Sequence, residues 1–311
     1  MKKRVLVVSS ANMDFVMKVR KIPDGGQTVI EKRGYDYIPG GKGANSALAL
    51  AKLGADSVFC TRLGCDNHGQ KLKALYSDSG IDTRFIVSDR NAPTGLASII
   101  VEENGQNRII VYPGANERIT AEDVEDAMTC LPDAVFMHFE VPFAAVVAAT
   151  EFANKKKIPV FIDAGPASSD YPLEKLGRLE VISPNESETL ALTGILPNNA
   201  DNCLRASYEL MKRVDTKYVV IKLGGRGAYI YDGTYAKLLT TYEGPVVDTT
   251  AAGDAFTAAL TLEYLRSGDI VRAVKYANAV GTLVVGREGA SSSLPTSAQV
   301  DEFIRANGIV L

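Results

Sequence analysis

Short apolar segments alternate with longer amphipathic segments along most of this chain. Continuous apolar runs, the pattern of buried strands in a parallel sheet, occupy residues 5–8, 134–138, 159–162, 180–182 and 218–222. Segments with helical spacing of apolar residues occupy 44–53, 68–77, 121–129, 143–154, 186–192, 202–213 and 256–265. Glycines that end helices follow four of these segments, at Gly54, Gly80, Gly194 and Gly268. The alternation predicts an α/β fold with a mostly parallel sheet.

Two stretches break this alternation and predict a separate small β-sheet. Residues 28–38 have a strand pattern, with Gly34 as a bend. Residues 95–112 have the pattern of a hairpin that turns at Glu103-Asn104-Gly105. We therefore expect an inserted sheet made of residues 12–38 and 95–112, and a main domain made of 1–11, 39–94 and 113–311. An unpartnered face on such a sheet favours a homodimer that pairs through it.

Composition excludes several classes of protein. The chain has 311 residues, 46% of them hydrophobic and 23% charged, with a formal net charge of −3. It has no basic block interleaved with aromatic residues and no apolar stretch of membrane-spanning length, so we expect neither a nucleic-acid nor a membrane partner. Four cysteines without metal-type spacing and two histidines argue against a zinc site. Reduced thiols are typical of a cytoplasmic protein.

The segment 248–256, DTTAAGDAF, carries the strongest chemical signal. Small residues and Gly253 open an amphipathic helix, where free backbone N–H groups and the helix dipole attract phosphate. The negative charge of Asp254 in the first turn repels a bound anion, which argues against a site that only binds phosphate. The same carboxylate suits a general base that deprotonates a hydroxyl. The segment predicts phosphoryl transfer to an alcohol. The alternative is an ordinary helix start in which Asp254 complements the dipole.

Two motifs near the N-terminus predict a ligand that carries hydroxyl groups. Residues 40–45, GGKGAN, precede a helix, where glycines permit close approach and Asn45 can hydrogen-bond a hydroxyl. Asn12 and Asp14 follow the first strand, at the sheet edge where ligands of open α/β folds bind. Asp14 can accept hydrogen bonds from a diol. A tight turn and a capping role are the respective alternatives.

Two further motifs predict a nucleotide. Asn185 and Glu188 lie one helical turn apart after a strand, an arrangement that suits Mg²⁺ held through water, with helix capping as the alternative. Residues 222–228, KLGGRGA, join two strand-like runs, and their glycines either pass close to a nucleotide or form a hairpin turn. Neither a Walker A loop nor a dinucleotide fingerprint is present, which argues against P-loop and nicotinamide enzymes.

In their order and spacing these motifs resemble the ribokinase family of carbohydrate kinases, also called the PfkB family. The resemblance runs from Val5 to about Pro295 and includes PGAN at 113–116 and PNE at 184–186. It implies a ribokinase-like three-layer sandwich with a β-sheet lid. It also implies an ATP-dependent kinase that phosphorylates the primary hydroxyl of a pentose, with D-ribose converted to D-ribose 5-phosphate as the favoured reaction.

The resemblance also assigns residues to roles. Asp254 becomes the base, and the N–H groups of Ala251, Ala252 and Gly253 become an anion hole. Sugar binding is assigned to Asn12, Asp14, Gly40, Gly41, Lys42, Asn45 and Glu140, and also to Asp254 itself. The ATP site is assigned to Asn185, Lys222, Gly224, Gly227 and Asn278, with Asn185 and Glu188 organising Mg²⁺ through water. An activating K⁺ site is assigned to Asp248, Thr250, Val284, Arg287, Gly289 and Ser293.

Three positions depart from the family pattern and leave the acceptor open. Gln27 replaces the usual Glu, Thr250 an apolar residue and Ser46 a frequent Gln. Deoxyribose, fructose, a keto-deoxy sugar acid or a nucleoside are alternative acceptors. A sugar-binding protein without catalysis is an alternative of another class, and the intact Asp254 argues against it.

Overall fold

The computed structural model describes residues 2–104 and 106–311. In chain order the strands are β1 (Arg4–Val8), β2 (Asn12–Val19), β3 (Tyr35–Gly40), β4 (Asp56–Gly64), β5 (Ile86–Asp89), β6 (Gly95–Glu102), β7 (Asn107–Tyr112), β8 (Ala134–Met137), β9 (Val160–Asp163), β10 (Leu179–Ser183), β11 (Thr216–Lys222), β12 (Ala228–Tyr231) and β13 (Ala236–Leu239). The helices are α1 (Lys42–Lys52), α2 (Asn67–Asp78), α3 (Ala121–Ala127), α4 (Phe143–Lys155), α5 (Glu186–Thr193), α6 (Ala200–Arg213), α7 (Ala252–Ser267), α8 (Ile270–Val285) and α9 (Ser297–Ala306).

A nine-stranded sheet with the order β13-β12-β11-β10-β9-β8-β1-β4-β5 forms the centre of the molecule. Its pairs are parallel except for the two that join β12 to its neighbours. The predicted α/β fold with a mostly parallel sheet is confirmed, and the five apolar runs lie in β1, β8, β9, β10 and β11. The sequence analysis did not identify β4 and β5.

Helices cover both faces of this sheet, as the alternation of side chains along β1 shows. Val5 and Val7 pack into a core with α1, α7 and α8. Leu6 and Val8 point the opposite way, into a second core with α4 and α6. Residues next to each other on a strand face opposite sides, so continuous apolar strands require two helical layers. The result is a three-layer sandwich.

A second sheet of four strands, with the order β3-β2-β6-β7, stands apart from the first. The predicted hairpin is confirmed, because β6 and β7 pair antiparallel with Ile99 opposite Ile109. Gly105, in the predicted turn, lies outside the described residues. The strand predicted at 28–38 begins only at Tyr35, since residues 28–34 are largely exposed and pair with no described strand. Gly34 precedes β3 with a φ of 82°.

The connection between β1 and β2 places the two sheets side by side. Only three residues separate Val8, the end of β1, from Asn12, the start of β2. The carboxyl edge of the central sheet, where β8, β9 and β11 also end, therefore adjoins the small sheet. In the part of the chain that the structure describes, no helix combines the length and the apolar character needed to cross a bilayer.

Candidate active site

The N-terminus of α7 presents free backbone donors beside a buried carboxylate. Ala251, which precedes the helix, has a left-handed φ of 60°, a conformation that costs an alanine about 1 kcal/mol. Ala252 N–H makes a long bond of 3.3 Å to the Thr249 carbonyl. Among the described residues, the N–H groups of Ala251 and Gly253 have no acceptor. Successive N–H groups in such a turn form an anion-binding concavity.

Asp254 lies in the first turn of α7 and is 5% exposed. Its Oδ2 accepts a hydrogen bond from Asn45 Nδ2 at 2.9 Å, and its Oδ1 lies 3.5 Å from Lys42 Nζ. Both partners come from the start of α1, the helix that the GGKGAN motif opens. A buried carboxylate needs such partners because desolvation disfavours its charge. The structure therefore brings the two strongest sequence motifs into direct contact.

His138 lies next to Asp254 and was not identified from the sequence. It directly follows β8, is fully buried, and places its Nε2 3.9 Å from Asp254 Oδ1. Ser9 Oγ lies 3.0 Å from its Nδ1. Burial lowers the pKa of His138 to about 4, although the neighbouring Asp163 and Asp254 act in the opposite direction. The imidazole is therefore neutral at pH 7 and leaves Lys42 as the cation beside Asp254.

The residues assigned to sugar binding form one group, which we call the Asp14 cluster: Asn12, Asp14, Gly40, Gly41, Lys42, Asn45 and Glu140. Glu140 accepts a bond from the Lys42 backbone N–H at 3.0 Å. A Cβ on Gly40 would lie 2.0 Å from Asp14 Oδ2, and Gly41 has a φ of 92°. Both glycines are therefore required by the close packing of the GGKGAN turn on β2.

Two buried oxygens of the Asp14 cluster, Asp14 Oδ1 and Asn45 Oδ1, have no hydrogen-bond partner among the described residues. Such atoms are rare in folded proteins because each costs free energy. Burial, together with the charge of Glu140, raises the pKa of Asp14 to about 7. Asn12 differs, since its Oδ1 accepts a bond of 2.7 Å from Asn116 Nδ2. Asn116 was quoted only as part of the PGAN motif, and here it ties β2 to the main domain.

On the other side of Asp254 lies a cavity of about 540 Å³, which we call the glycine-lined cavity. Its walls include Asn185, Lys222, Gly224, Gly227 and Asn278, the five residues assigned to ATP, together with Ala252, Gly253, Phe256 and Val246. Its volume falls in the range of small-molecule sites. Because it also contacts the first turn of α7, the free N–H groups and the cavity belong to one site.

Backbone packing fixes the shape of the glycine-lined cavity. Gly227 has a φ of 95°, and a Cβ there would lie 2.1 Å from the Leu239 carbonyl oxygen. Asn278 donates from Nδ2 to the Leu239 and Thr240 carbonyls at 3.1 and 3.2 Å. Asn278 thus holds the end of β13 against α8. The KLGGRGA segment also forms the hairpin turn between β11 and β12, which was the alternative predicted for it from the sequence.

Asn185 and Glu188 form the capping box that the sequence analysis gave as the alternative to a metal role. Asn185 Oδ1 accepts the Glu188 N–H, and Glu188 Oε2 accepts the Asn185 N–H, both at 2.8 Å. Glu188 Oε1 takes no hydrogen bond from the described residues and faces Gly165, where a Cβ would lie 2.4 Å from it. Burial raises the pKa of Glu188.

Asp248 bonds two other residues assigned to K⁺, Thr250 and Gly289. Asp248 Oδ1 accepts bonds from the Thr250 N–H at 2.9 Å and its hydroxyl at 2.6 Å. Asp248 Oδ2 accepts the Gly289 N–H at 2.9 Å. Partial burial alone would raise the pKa of Asp248, but these bonds outweigh it and lower the pKa. Ser293 Oγ bonds the Ala290 carbonyl at 2.7 Å, and the Val284 carbonyl accepts the Arg287 N–H at 3.1 Å.

Asp163 and Thr257 are further residues that sequence reasoning missed. Asp163 ends β9 and is paired with Lys222, which ends β11. Thr257 Oγ1 donates to Asp163 Oδ2 at 2.6 Å. Burial would raise the pKa of Asp163, but the adjacent Lys222 ammonium lowers it to about 2. A polar residue that directly ends a buried apolar strand was the available signal, and it applies equally to His138.

Comparison with known proteins agrees with this geometry. The pfkB family carbohydrate kinase profile matches residues 2–297. Ribokinase of Staphylococcus aureus is 32% identical over 305 residues, which cover 97% of this chain and 100% of that protein. Deoxyribokinase of Salmonella typhi is 28% identical, with 97% and 99% covered. The solved structure of Arabidopsis thaliana ribokinase complexed with ribose and ATP superposes with a TM-score of 0.89 at 31% identity, and 98% and 99% of the two chains are covered.

The matched segment extends over both sheets, α7 and the loops that carry the Asp14 cluster. The fold and the enzyme class implied by the sequence motifs are thereby confirmed. This chain belongs to the pfkB family of carbohydrate kinases and is a ribokinase-like phosphotransferase that acts on an alcohol group.

Proposed function

We propose that this protein is an ATP-dependent kinase that transfers the γ-phosphoryl group to the primary hydroxyl of D-ribose, giving D-ribose 5-phosphate. One observation carries the proposal: buried Asp254 stands between the Asp14 cluster and the glycine-lined cavity, one residue from the free N–H of Gly253. A base with a polyol-binding cluster on one side and an anion-binding helix start on the other has the layout that phosphoryl transfer needs.

On the acceptor side, the two orphaned oxygens are positioned to accept hydrogen bonds. We assign Asp14 Oδ1 and Asn45 Oδ1 to hydroxyls of the sugar ring, because burial leaves them without water and a diol supplies the missing donors. This orients the sugar with its primary hydroxyl toward Asp254. Asp254 then takes the hydroxyl proton as the oxygen attacks the γ-phosphorus.

On the donor side, we assign the glycine-lined cavity to ATP, with its phosphates directed to the start of α7. The backbone of Gly224 and Gly227 approaches the nucleotide without side chains, while the N–H groups of Ala251 and Gly253 meet the negative charge that develops on the transferred phosphoryl group. The ribose and ATP complex of the A. thaliana ribokinase supports both ligand assignments.

Two cations complete the proposal. The Asn185–Glu188 turn fits Mg²⁺ held through water. Glu188 Oε1 accepts no hydrogen bond from the described residues, whereas Asn185 Oδ1 is used in capping. The six residues assigned to K⁺, which we call the Asp248 group, offer carboxylate, hydroxyl and backbone carbonyl oxygens, which suit K⁺. Bound Mg²⁺ would neutralise nucleotide phosphate charge, and K⁺ would stabilise the loop that precedes α7. The residues of this chain carry the positioning and the proton transfer.

We propose further that the small sheet acts as a lid over the sugar and pairs with the same sheet of a second copy. Its face opposite to that of Asp14 exposes Tyr35, Tyr37, Ile110 and Tyr112, with Ile110 73% exposed. An apolar face of this kind on a sheet is typical of an interface. Substituting Ile110 with Lys should convert a homodimer to a monomer in sedimentation measurements, whereas a monomeric unsubstituted protein would contradict the pairing.

A coupled ADP-release assay with Mg·ATP and K⁺ tests the proposed reaction across ribose, deoxyribose, fructose, a keto-deoxy sugar acid and a nucleoside. We expect ribose to exceed 2-deoxyribose by at least roughly tenfold in kcat/KM, since loss of the 2-hydroxyl leaves a buried carboxylate oxygen unpaired. The 28% identity to the S. typhi deoxyribokinase makes deoxyribose the second candidate. Preference for another acceptor would keep the mechanism and change the substrate.

A further inference from the structure

Lys222 is a buried lysine whose ammonium group is held by two other elements of the fold. It ends β11 and is 8% exposed. Its Nζ donates to Asp163 at the end of β9 and to Thr257 Oγ1 on α7 at 3.3 Å. Thr257 in turn donates to the same Asp163 oxygen. Burying an ammonium is unfavourable unless it is paired, and here β9 and α7 supply the two partners.

The position of this ammonium group links it to the helix start rather than to the outer surface. Lys222 Nζ lies 3.6 Å from the place that a Cβ would take on Gly253, the residue whose N–H is free. Lys222 also lines the glycine-lined cavity. An ammonium has three donors, and Asp163 and Thr257 use two of them. Among the described residues the third donor has no acceptor, which leaves it for a ligand oxygen at the mouth of the α7 turn.

The groups around Lys222 carry charges of both signs: Asp163 pairs with its ammonium, and Lys42 and Glu188 lie close enough to interact with that pair. Asp163 is fully buried and its remaining oxygen, Oδ1, accepts the Gly165 N–H at 3.3 Å. The Asp163 carboxylate therefore bonds Lys222 and Thr257 from the interior of the protein. A compact lysine charge fixed in this way can contact a phosphate oxygen. His138 adds no positive charge, because its pKa is lowered to about 4.

Resting on the proposed kinase function, we propose that Lys222 is a catalytic residue that donates a hydrogen bond to the γ-phosphoryl group during transfer, while Asp163 and Thr257 are positioning residues. The bond between the γ-phosphorus and the bridging oxygen of ATP breaks as the bond to the sugar oxygen forms. The hydroxyl proton passes to Asp254, ADP departs, and Lys222 keeps all its protons. The lysine adds charge where the helix N–H groups supply only partial charge.

Substituting Lys222 with Met tests this role, because Met keeps the stem and removes the charge. We expect kcat to fall roughly 100-fold or more, with the KM for the sugar changed less than about threefold. Affinity for ADP with aluminium fluoride, a mimic of the transferred phosphoryl group, should fall by a similar factor to kcat, while affinity for ADP alone stays close to the unsubstituted value. A purely structural lysine would not separate these two affinities.

Lys217→Met is the matched control. Lys217 lies on the same strand and is also paired, with Glu180 at 2.7 Å and Tyr264 at 2.8 Å, but it does not line the glycine-lined cavity. Its substitution should leave kcat unchanged. Thr257→Val and Asp163→Asn should each reduce kcat, by about tenfold or more for Asp163→Asn, through loss of the lysine's position.

The double variant Asp163→Asn with Lys222→Met guards against a folding artefact, because it leaves no unpaired buried charge. If Asp163 acts only through Lys222, its kcat should equal that of Lys222→Met. Retention of kcat within threefold by either the single or the double variant would overturn the proposal. Absence of sugar phosphorylation by the unsubstituted protein would instead count against the proposed function itself.

Discussion

On the side of Asp254 that we assign to the sugar, the groups are charged or amide side chains, whereas the side that we assign to the nucleotide adds glycines and a helix start to its polar side chains. Asp14 and Asn45 hold unpaired buried oxygens, while Gly224, Gly227 and Gly253 line the cavity opposite. Side-chain oxygens distinguish hydroxyl patterns, since a missing hydroxyl leaves one of them unpaired. Backbone donors bind phosphate of any nucleotide. We therefore assign selectivity for the acceptor to side-chain oxygens, and much of the affinity for the donor to backbone N–H groups.

The largest expected effect comes from the residue that both sides share. Asp254→Asn removes the base but keeps the shape, so kcat should fall by about 10²- to 10⁴-fold. Sugar binding measured by calorimetry should remain nearly intact, because the Asp14 cluster is unchanged. Near-normal turnover of this variant in the ADP-release assay would show that the base has been assigned wrongly.

A second expected effect concerns the backbone-built side. Gly227→Ala places a Cβ 2.1 Å from the Leu239 carbonyl at a φ of 95°. We expect a loss of about 1–3 kcal/mol from backbone strain, a lower Tm and a higher KM for ATP.

Gly225→Ala is the control for this experiment. A Cβ there meets no atom within 4 Å, and the residue has no positive φ, so the Tm should be unaffected. Because Gly225 also lines the cavity, the Tm is the measurement that the two variants share. Equal behaviour of the two variants would mean that close backbone packing does not shape the cavity.

The sugar side should show the clearer pH dependence. The raised pKa of Asp14, about 7, means that the free enzyme carries a protonated Asp14 below pH 7, and a protonated carboxyl accepts hydrogen bonds less well. The kcat/KM for the sugar should therefore rise with pH through an apparent pKa near 7, since this ratio reports groups of the free enzyme. Asp14→Asn should abolish that step and lower kcat/KM. An unchanged profile in the variant would assign the step to another group.

Replacing K⁺ is expected to have a smaller effect, confined to the loop before α7. Exchange for tetramethylammonium at equal ionic strength should lower kcat by roughly tenfold, which corresponds to about 1.4 kcal/mol. The KM for the sugar should hardly change, because no hydrogen bond or ion pair among the described residues joins the Asp248 group to the Asp14 cluster. Asp248→Asn should remove the difference between the two cations. Equal rates with either cation in the unsubstituted protein would contradict the K⁺ assignment.

Local sequence patterns predicted the site better where a motif is contiguous than where it is assembled by the fold. GGKGAN and the Asp254 segment were read directly, because glycines at a helix start have a local physical meaning. His138, Asp163 and Thr257 were missed, because their significance comes from the meeting of β8, β9 and α7. The prediction of a strand at residues 28–34 was wrong for the opposite reason. These residues have strand propensity, but no described strand lies beside them to form the backbone hydrogen bonds of a sheet.

The contacts of Asn45 and Lys42 with Asp254 have a consequence for the consumption of ATP. Before a sugar arrives, the carboxylate is already engaged by an amide at 2.9 Å and an ammonium at 3.5 Å. A lone water that enters the site has no ring hydroxyls with which to satisfy Asp14 and Asn45 together, so it is neither oriented nor readily deprotonated. We therefore expect ATP hydrolysis without sugar to be slow, which keeps the nucleotide from being consumed in futile turnover while the enzyme waits for its acceptor.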